Sequence, residues 1–170
     1  DIYDLYIAFP EPLVPRALRH EVDERIDPSG KTVAPLSEDE VEAAARKLKR
    51  AGVESIAVSF LHAYANPEHE RKAAQIVSKA APGISVSLSS QVAAEAREFE
   101  RTVTTAIDAY VKPLVESYLD RLAMGLGKEG FQGELFVMLS HGGIARAAEA
   151  AKVFPVRIIE SGPAAGVLAA

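Results

Sequence analysis

Ile56-Ala57-Val58-Ser59-Phe60-Leu61, Asn66-Pro67-Glu68 and Ile84-Ser85-Val86-Ser87-Leu88 follow one another in the chain, and together they decide the fold class. The first is a short continuous apolar run, as expected of a strand covered on both faces. Asn66 can cap a helix, and Pro67 fits its first position, where no backbone N–H is needed. Glu68 and Glu70 then sit in the first turn, where acidic groups complement the helix dipole. Ala73, Ile76, Val77 and Ala80 form an apolar stripe that Pro82-Gly83 ends. Ile84, Val86 and Leu88 alternate with serines, giving a second strand. Strand, helix, strand with short links is a βαβ unit, so the class is α/β with a sheet that is at least partly parallel.

Upstream, residues 1–35 hold short apolar patches broken by five prolines and by the turn Asp27-Pro28-Ser29-Gly30. They read as two or three short strands. Ser37 and Glu40 have the spacing of a capping box. Val41, Ala44, Ala45 and Leu48 follow at helical spacing, and Gly52 supplies the stop. Downstream, Glu98 to Leu126 is helical, with Val103, Ile107, Tyr110, Leu114, Tyr118 and Leu122 on a broad apolar face. Pro113 in its middle predicts a kink or two abutting helices. Leu135 to Leu139 reads as a strand entering Ser140-His141-Gly142-Gly143. A short alanine-rich helix follows, then a strand over Val156 to Ile159 and a helix start at Ser161-Gly162-Pro163-Ala164-Ala165-Gly166. A seam is expected near residues 90–98.

The 170 residues carry a net charge of −5 and no cysteine. The charge argues against an extended nucleic-acid or anionic-lipid surface. The missing thiols exclude disulfides and thiolate catalysis, and they suit a reducing cytoplasm. No apolar run approaches the roughly 18 residues of a membrane span. Acidic Asp1 and Asp4 stand where a signal peptide carries basic residues, and Ala170 falls inside a starting helix. The chain is therefore expected to be an internal fragment, with open sheet edges that invite a homodimer unrelated to the native assembly.

Three constellations carry possible chemistry. Ser161-Gly162-Pro163 begins a helix whose free N–H groups suit an anion, or its small residues simply allow tight packing, which spacing alone favours. Ser140-His141-Gly142-Gly143 follows a buried-looking strand, where α/β proteins place ligands, or is only a turn needing positive φ. Glu95 to Thr102 alternates acids and bases: a solvated helix start, which is the preferred reading from residues alone, or a polar cleft. His62, His69 and Glu70 lack zinc-helix spacing and are read as structural, so no metal site is expected.

Several segments resemble, in order, one family: Pro12 to Arg16, Ala51 to Val58, Phe60 to Glu70, Leu88 to Val92, Glu98 to Thr102, Ala109 to Pro113, His141 to Gly143 and Ser161 to Val167. The family is that of hydantoinase A, 5-oxoprolinase and the acetone-carboxylase-type subunits. It usually has Tyr at Phe99 and Asn at Asp108 and His141, which leaves the polar contacts of Asp108 and His141 open.

The resemblance implies parts of two ribonuclease-H-like lobes of the actin, sugar-kinase and heat-shock chaperone ATPase superfamily. Residues 1–96 would end the N-terminal lobe and 97–170 would start the second, truncated one. The implied parent is an ATP-dependent cyclic-amide hydrolase opening hydantoin or 5-oxoproline, with a divalent metal such as Mg and a hydantoinase B-type subunit as partner. ATP there phosphorylates an oxygen to make an electrophile, which needs positioning and charge neutralisation. Two D-x-G-G-T-type phosphate loops are expected before Asp1 and beyond Ala170, so the fragment alone is expected to bind no cofactor and to be inactive. The implied cleft residues are Glu100, Arg101, Thr102, Ser140, Gly142, Gly143, Ser161 and Gly162, with Arg101 a candidate to neutralise phosphate charge. An ATP-dependent carboxylase subunit and a non-catalytic docking module are the alternatives.

Overall fold

The computed structural model describes residues 11–169. The expectations for Asp1 to Leu5, for any strand within residues 1–10 and for Ala170 lie outside them. Strands β1 (Arg25–Ile26) and β2 (Thr32–Ala34) form an antiparallel hairpin. Asp27 builds its turn by accepting from the backbone N–H groups of Ser29 and Lys31 and from the Ser29 hydroxyl. Gly30 takes φ +85°, and a side chain there would meet the Ala65 carbonyl at 3.3 Å. Asn66 Nδ2 donates to the Gly30 carbonyl at 2.9 Å, docking the hairpin onto the 62–66 turn.

Helix α1 spans Glu38–Arg50, and Gly52 at φ +79° releases the chain from it. Its capping box does not form: Glu40 Oε2 accepts from the Asp23 N–H at 2.7 Å, and Ser37 donates its own N–H to the Asp23 carbonyl. The two residues are instead used to pin the segment that enters the hairpin. Strand β3 (Ser55–Val58), helix α2 (Glu68–Ala80) and strand β4 (Ser85–Leu88) follow as the expected parallel βαβ unit, paired from Ser55 with Ser85 to Val58 with Leu88. Helix α2 starts one position later than expected, with Pro67 as its N-cap, and Asn66 Oδ1 accepts from the Glu68 N–H at 3.0 Å just ahead of it. A short helix α3 (Ser89–Val92) leads to α4 (Glu98–Lys128), which is one helix through Pro113 and not two abutting ones.

The two faces of the β3–β4 pair differ in chemistry. Ile56, Val58, Val86 and Leu88 point toward α1 and α2 and join Val41, Ala45, Ala73 and Val77 in the main core. Ser59, Ser85 and Ser87 point the other way, toward Thr102, Glu116 and Asp108 of α4. The apolar run Ile56 to Leu61 is therefore shorter as a strand than expected, and Ala57 is exposed rather than covered. The reason lies at Phe60, whose N–H and C=O are taken by side chains of α2 and α4 and not by a neighbouring strand.

The same chemistry turns α4 over. Its buried residues are Arg101, Thr105, Asp108, Ala109 and Leu119. Of the expected apolar face, Tyr110 (68%), Leu114 (69%), Val103 and Tyr118 are exposed, with Phe99 beside them, whereas Ile107 is half-buried and Leu122 packs against the second core. At about 100° per residue, Tyr110 lies half a turn away from Arg101. A helix laid on a hydroxylated sheet face presents its polar side inward.

Beyond α4, strands β5 (Phe136–Met138) and β6 (Ile144–Arg146) form an antiparallel hairpin, followed by α5 (Ala147–Val153) and α6 (Ser161–Ala169). Leu119, Ala147 and Ala151 centre a second core between α4 and this region. Ser140 to Gly143 is a hairpin turn between antiparallel strands with Gly142 at φ +86°, so of its two readings the turn holds. One expectation changes here. Pro155–Ile158 is a 3₁₀ turn, not a strand, because Pro155 starts it and its peptide groups bond elsewhere: Val156 N–H to Asp108, Arg157 C=O to Ser140.

Ile56→Ala is expected to lower unfolding stability by about 2–5 kcal/mol in urea titrations. Val33→Ala, on an exposed strand position, should stay within about 0.5 kcal/mol. Equal losses would mean that the apolar sheet face is not the core.

Candidate functional site

A cluster of buried polar groups lies at the carboxyl ends of the parallel strands, where open α/β sheets place their ligands. One turn into α2, Glu70 points under this edge and is fully buried (0% exposed). Its Oε1 accepts from the Phe60 N–H at 3.0 Å and the Ser89 hydroxyl at 2.5 Å, and its Oε2 accepts from the Ser90 N–H at 2.8 Å. Opposite stands Arg101, 1% exposed, from the first turn of α4. Its Nε donates to Ser89 Oγ at 3.1 Å, Nη1 to the Glu95 carbonyl at 2.6 Å and Nη2 to the Phe60 carbonyl at 2.8 Å.

The two charges are thus joined through intermediaries. The Ser89 hydroxyl donates to Glu70 while accepting from Arg101, and the Phe60 residue is held by its N–H on one side and its C=O on the other. Hydrogen bonds to charged groups are worth roughly 1.5–3 kcal/mol each, about twice the neutral kind. Tyr64 lays its ring under the guanidinium, 5.5 Å from centroid to Cζ, and its hydroxyl lies 3.3 Å from His62 Nδ1. His62 has φ 56°, a conformation that non-glycine residues rarely adopt. Behind the cluster, His69 Nδ1 lies 2.8 Å from Glu24 Oε2, tying α2 to the segment before β1.

A second buried carboxylate lies two turns further along α4. Asp108, 0% exposed, accepts from the Ser87 hydroxyl at 2.7 Å and from the Val156 N–H at 3.0 Å. Burial pushes its carboxyl above the ordinary carboxylate range, against the opposing pulls of the Ser87 and Val156 hydrogen bonds and of the Lys112 and Arg157 charges. Lys112 itself donates to the Val86 carbonyl at 2.9 Å.

The eight residues expected in a cleft fall into two groups, and no hydrogen bond among the described residues joins them. In the first, Arg101 is buried as above. Glu100 is exposed and faces Arg97 at 3.4 Å, and Thr102 meets the Ser59 hydroxyl at 2.8 Å. In the second, Ser140 Oγ donates to the Arg157 carbonyl at 2.7 Å and accepts from the Glu160 N–H at 3.1 Å. Gly142 (φ +86°) and Gly143 form the hairpin turn, and the Gly143 N–H donates to His141 Nδ1 at 3.1 Å. Ser161 and Gly162 open α6 beside it. Ser140 therefore binds the two turns to each other.

Glu70, Ser89, Thr105 and Asp108 were missing from the expected set. Glu70 reads in sequence as a helix-dipole residue and the serines as strand polar positions. The one available signal is four polar residues at buried-face spacing, Arg101, Thr105, Asp108 and Lys112. No group of three or more His, Asp or Glu among the described residues is arranged to hold a metal. The carboxylates of Glu70 and Asp108 are already occupied by protein donors.

Residues 1–81 match the model of the hydantoinase/oxoprolinase N-terminal region, and residues 101–170 match that of hydantoinase/oxoprolinase. The chain is 44% identical, over 99% of its length and 25% of the relative's, to an uncharacterized protein of Methanocaldococcus jannaschii. It is 34% identical to caprolactamase subunit alpha of Pseudomonas jessenii, over 89% of this chain and 22% of that one. A nucleotide-free acetone carboxylase structure, solved to explain ATP-dependent acetone carboxylation, superposes with a TM-score of 0.81 at 36% identity, over 95% of this chain and 23% of the other. The chain spans about a quarter of the length of these two relatives.

Two outcomes follow from the buried charges. Arg101→Met leaves Glu70 without its countercharge and is expected to cost about 3–5 kcal/mol of stability. In a double-mutant cycle with Glu70→Gln the two should couple by about 1–3 kcal/mol although they do not touch; simple additivity would show that Ser89 and Phe60 transmit nothing. For Asp108, a pKa raised by folding gives a contribution that is present at low pH and lost as pH rises through the raised value. Asp108→Asn should therefore be the more stable chain at neutral pH, with its advantage shrinking toward pH 4. Unfolding midpoints that run parallel over this range would contradict it.

Proposed function

The chain belongs to the hydantoinase/oxoprolinase family, and from that premise we propose that it is the lobe-joining part of an ATP-dependent cyclic-amide hydrolase. The substrates of this reading are small rings such as hydantoin or 5-oxoproline. The observation that carries it is the Glu70–Arg101 clasp: Glu70 and Phe60 lie in the segment matched by the first family model, and Arg101 begins the segment matched by the second. A clasp of buried charge across that junction suits a protein whose two lobes must keep one geometry about a cleft. In this reading residues 1–96 end one ribonuclease-H-like lobe and residues 97–170 begin the next, as in the actin and sugar-kinase superfamily.

Arg101 is then a positioning residue, since three of its donors are committed to Ser89, Glu95 and Phe60. Glu100, Thr102, Ser140, Gly142, Gly143, Ser161 and Gly162 are the proposed cleft lining. ATP and a divalent metal such as Mg would be bound by residues outside this chain, which alone is proposed to be inactive. The cytoplasm is the proposed location.

The test is ATP turnover by the whole enzyme containing the chain. Stimulation by 5-oxoproline, hydantoin or a lactam supports amide hydrolysis. Stimulation that needs bicarbonate and a ketone instead would replace it by the carboxylase reading, to which the likeness to acetone carboxylase lends weight. Arg101→Ala is expected to lower turnover by more than about tenfold through misplacement of the lobes. An unchanged rate in a folded enzyme would remove Arg101 from the site's support.

The exposed stripe of Phe99, Tyr110, Leu114 and Tyr118 favours a second reading, in which this region docks a hydantoinase B-type subunit. A matched relative is itself named as a subunit, and contiguous exposed apolar surface marks interaction sites. Tyr110→Glu with Leu114→Glu should abolish co-purification of that subunit. Retained binding would refute the docking reading, and loss of self-association alone would assign the stripe to a second copy.

A further inference from the structure

Asp108 stands at a junction that neither the family reading nor the clasp uses. Its two carboxylate oxygens are divided between different parts of the molecule: Oδ2 accepts from Ser87 in β4, and Oδ1 accepts from the Val156 N–H in the 3₁₀ turn. That turn is in turn tied to the β5–β6 hairpin, because the Arg157 carbonyl receives both the N–H and the hydroxyl of Ser140, at 2.6 and 2.7 Å. Ser140 Oγ then accepts the Glu160 N–H at the threshold of α6. The path from β4 to the start of α6 thus runs Ser87, Asp108, Val156 and Arg157, Ser140, Glu160, with every link a hydrogen bond.

Apolar packing holds the 3₁₀ turn at Pro155, which is buried, and at Ile158, which lies against the second core, but it does not engage the Val156 N–H or the Arg157 carbonyl. The second core is small, with Leu119, Ala147 and Ala151 at its centre, and α6 buries no residue. Within the turn the Arg157 N–H bonds to the Phe154 carbonyl and the Val156 carbonyl accepts from the Ile159 N–H, whereas the Val156 N–H and the Arg157 carbonyl are met by Asp108 and Ser140. A buried carboxylate is a costly device for mere packing.

We propose that Asp108 is the positioning residue that sets the Ser140–Gly143 and Ser161–Gly162 turns relative to the parallel sheet. A displacement of β4 is thereby transmitted to the turns through one side chain. The coupling does not depend on the proposed activity; only its consequence for a cleft rests on that reading.

Site-resolved hydrogen exchange of the chain tests it. Ser87→Ala removes one link and touches neither turn. It is expected to speed exchange at the Val156, Ser140 and Glu160 amides by about tenfold, the scale of one hydrogen bond to a charged acceptor, while Val77 and Ile56 keep their protection. Asp108→Ala should do the same more strongly, and Asp108→Asn, which keeps an acceptor for Val156, should restore it. Faster exchange confined to β4 and α4 in Ser87→Ala would overturn the proposal, and so would a uniform rise over the whole chain. Should Asp108→Ala fail to fold, the Ser87→Ala comparison still decides. Exchange reads the coupling alone, so a negative result here leaves the activity reading standing, and an inactive enzyme leaves the coupling standing.

Discussion

Glu70 and Arg101 are both buried, carry opposite charges and do not touch. This constraint organises the region at the carboxyl ends of β3 and β4. A buried ion pair in direct contact satisfies two groups and leaves the rest of their hydrogen-bonding capacity to be met elsewhere. Separating the charges by one hydroxyl and one residue of backbone lets each use its remaining capacity on structure. Glu70 fixes the Ser89–Ser90 turn, Arg101 fixes Glu95, and both grip Phe60. Strand β3 ends at Val58 because the next peptide groups have a stronger claim on them than a sheet partner. The turn through His62 and Tyr64 is held against the guanidinium by the same arrangement.

The hydroxylated sheet face follows from this and explains the orientation of α4. Ser59, Ser85 and Ser87 cannot be covered by leucines without leaving hydroxyls unpaired. They are met by Thr102, Glu116 and Asp108, and Lys112 reaches past them to a strand carbonyl. Once the polar side of α4 is inward, its aromatic and leucine stripe has no place in the fold described here. Helix α4 is therefore a two-sided element: it holds the sheet by polar contacts, the second core by Leu119, and presents an apolar band to whatever lies outside.

The βαβ unit was legible because its signals are local. Asn66 does bond the first N–H of α2, Gly52 and Gly83 do take positive φ, and the alternation at Val86 and Leu88 does mark one buried face. The rule that apolar means inward held for α1, α2 and the β3–β4 pair and failed beyond them. On α4 that rule chose the side of Tyr110 and Leu114, since nothing in residues 98–126 records that the facing surface is serine. It also made Val156 to Ile159 a strand, where Pro155 and two side-chain partners impose a 3₁₀ turn. Of the expected cleft residues, Arg101 was visible as one charge in a dense run of them. Glu70 was hidden because its three partners come from residues 10 to 20 positions away.

Asp108 and Glu70 show how the same buried carboxylate can be held in two ways. Glu70 receives three donors and faces a guanidinium through one serine, so its charge is answered nearby. Asp108 receives two donors, and the cations near it, Lys112 and Arg157, oppose burial without overcoming it. Burial disfavours its ionised form, and its two oxygens reach separate parts of the chain. A group held by few, separate partners can give way without unravelling the sheet, whereas loss of Glu70 would release Phe60, Ser89 and Ser90 together. The division of labour places rigidity at the strand ends and the adjustable contact between the sheet and the 140–161 turns.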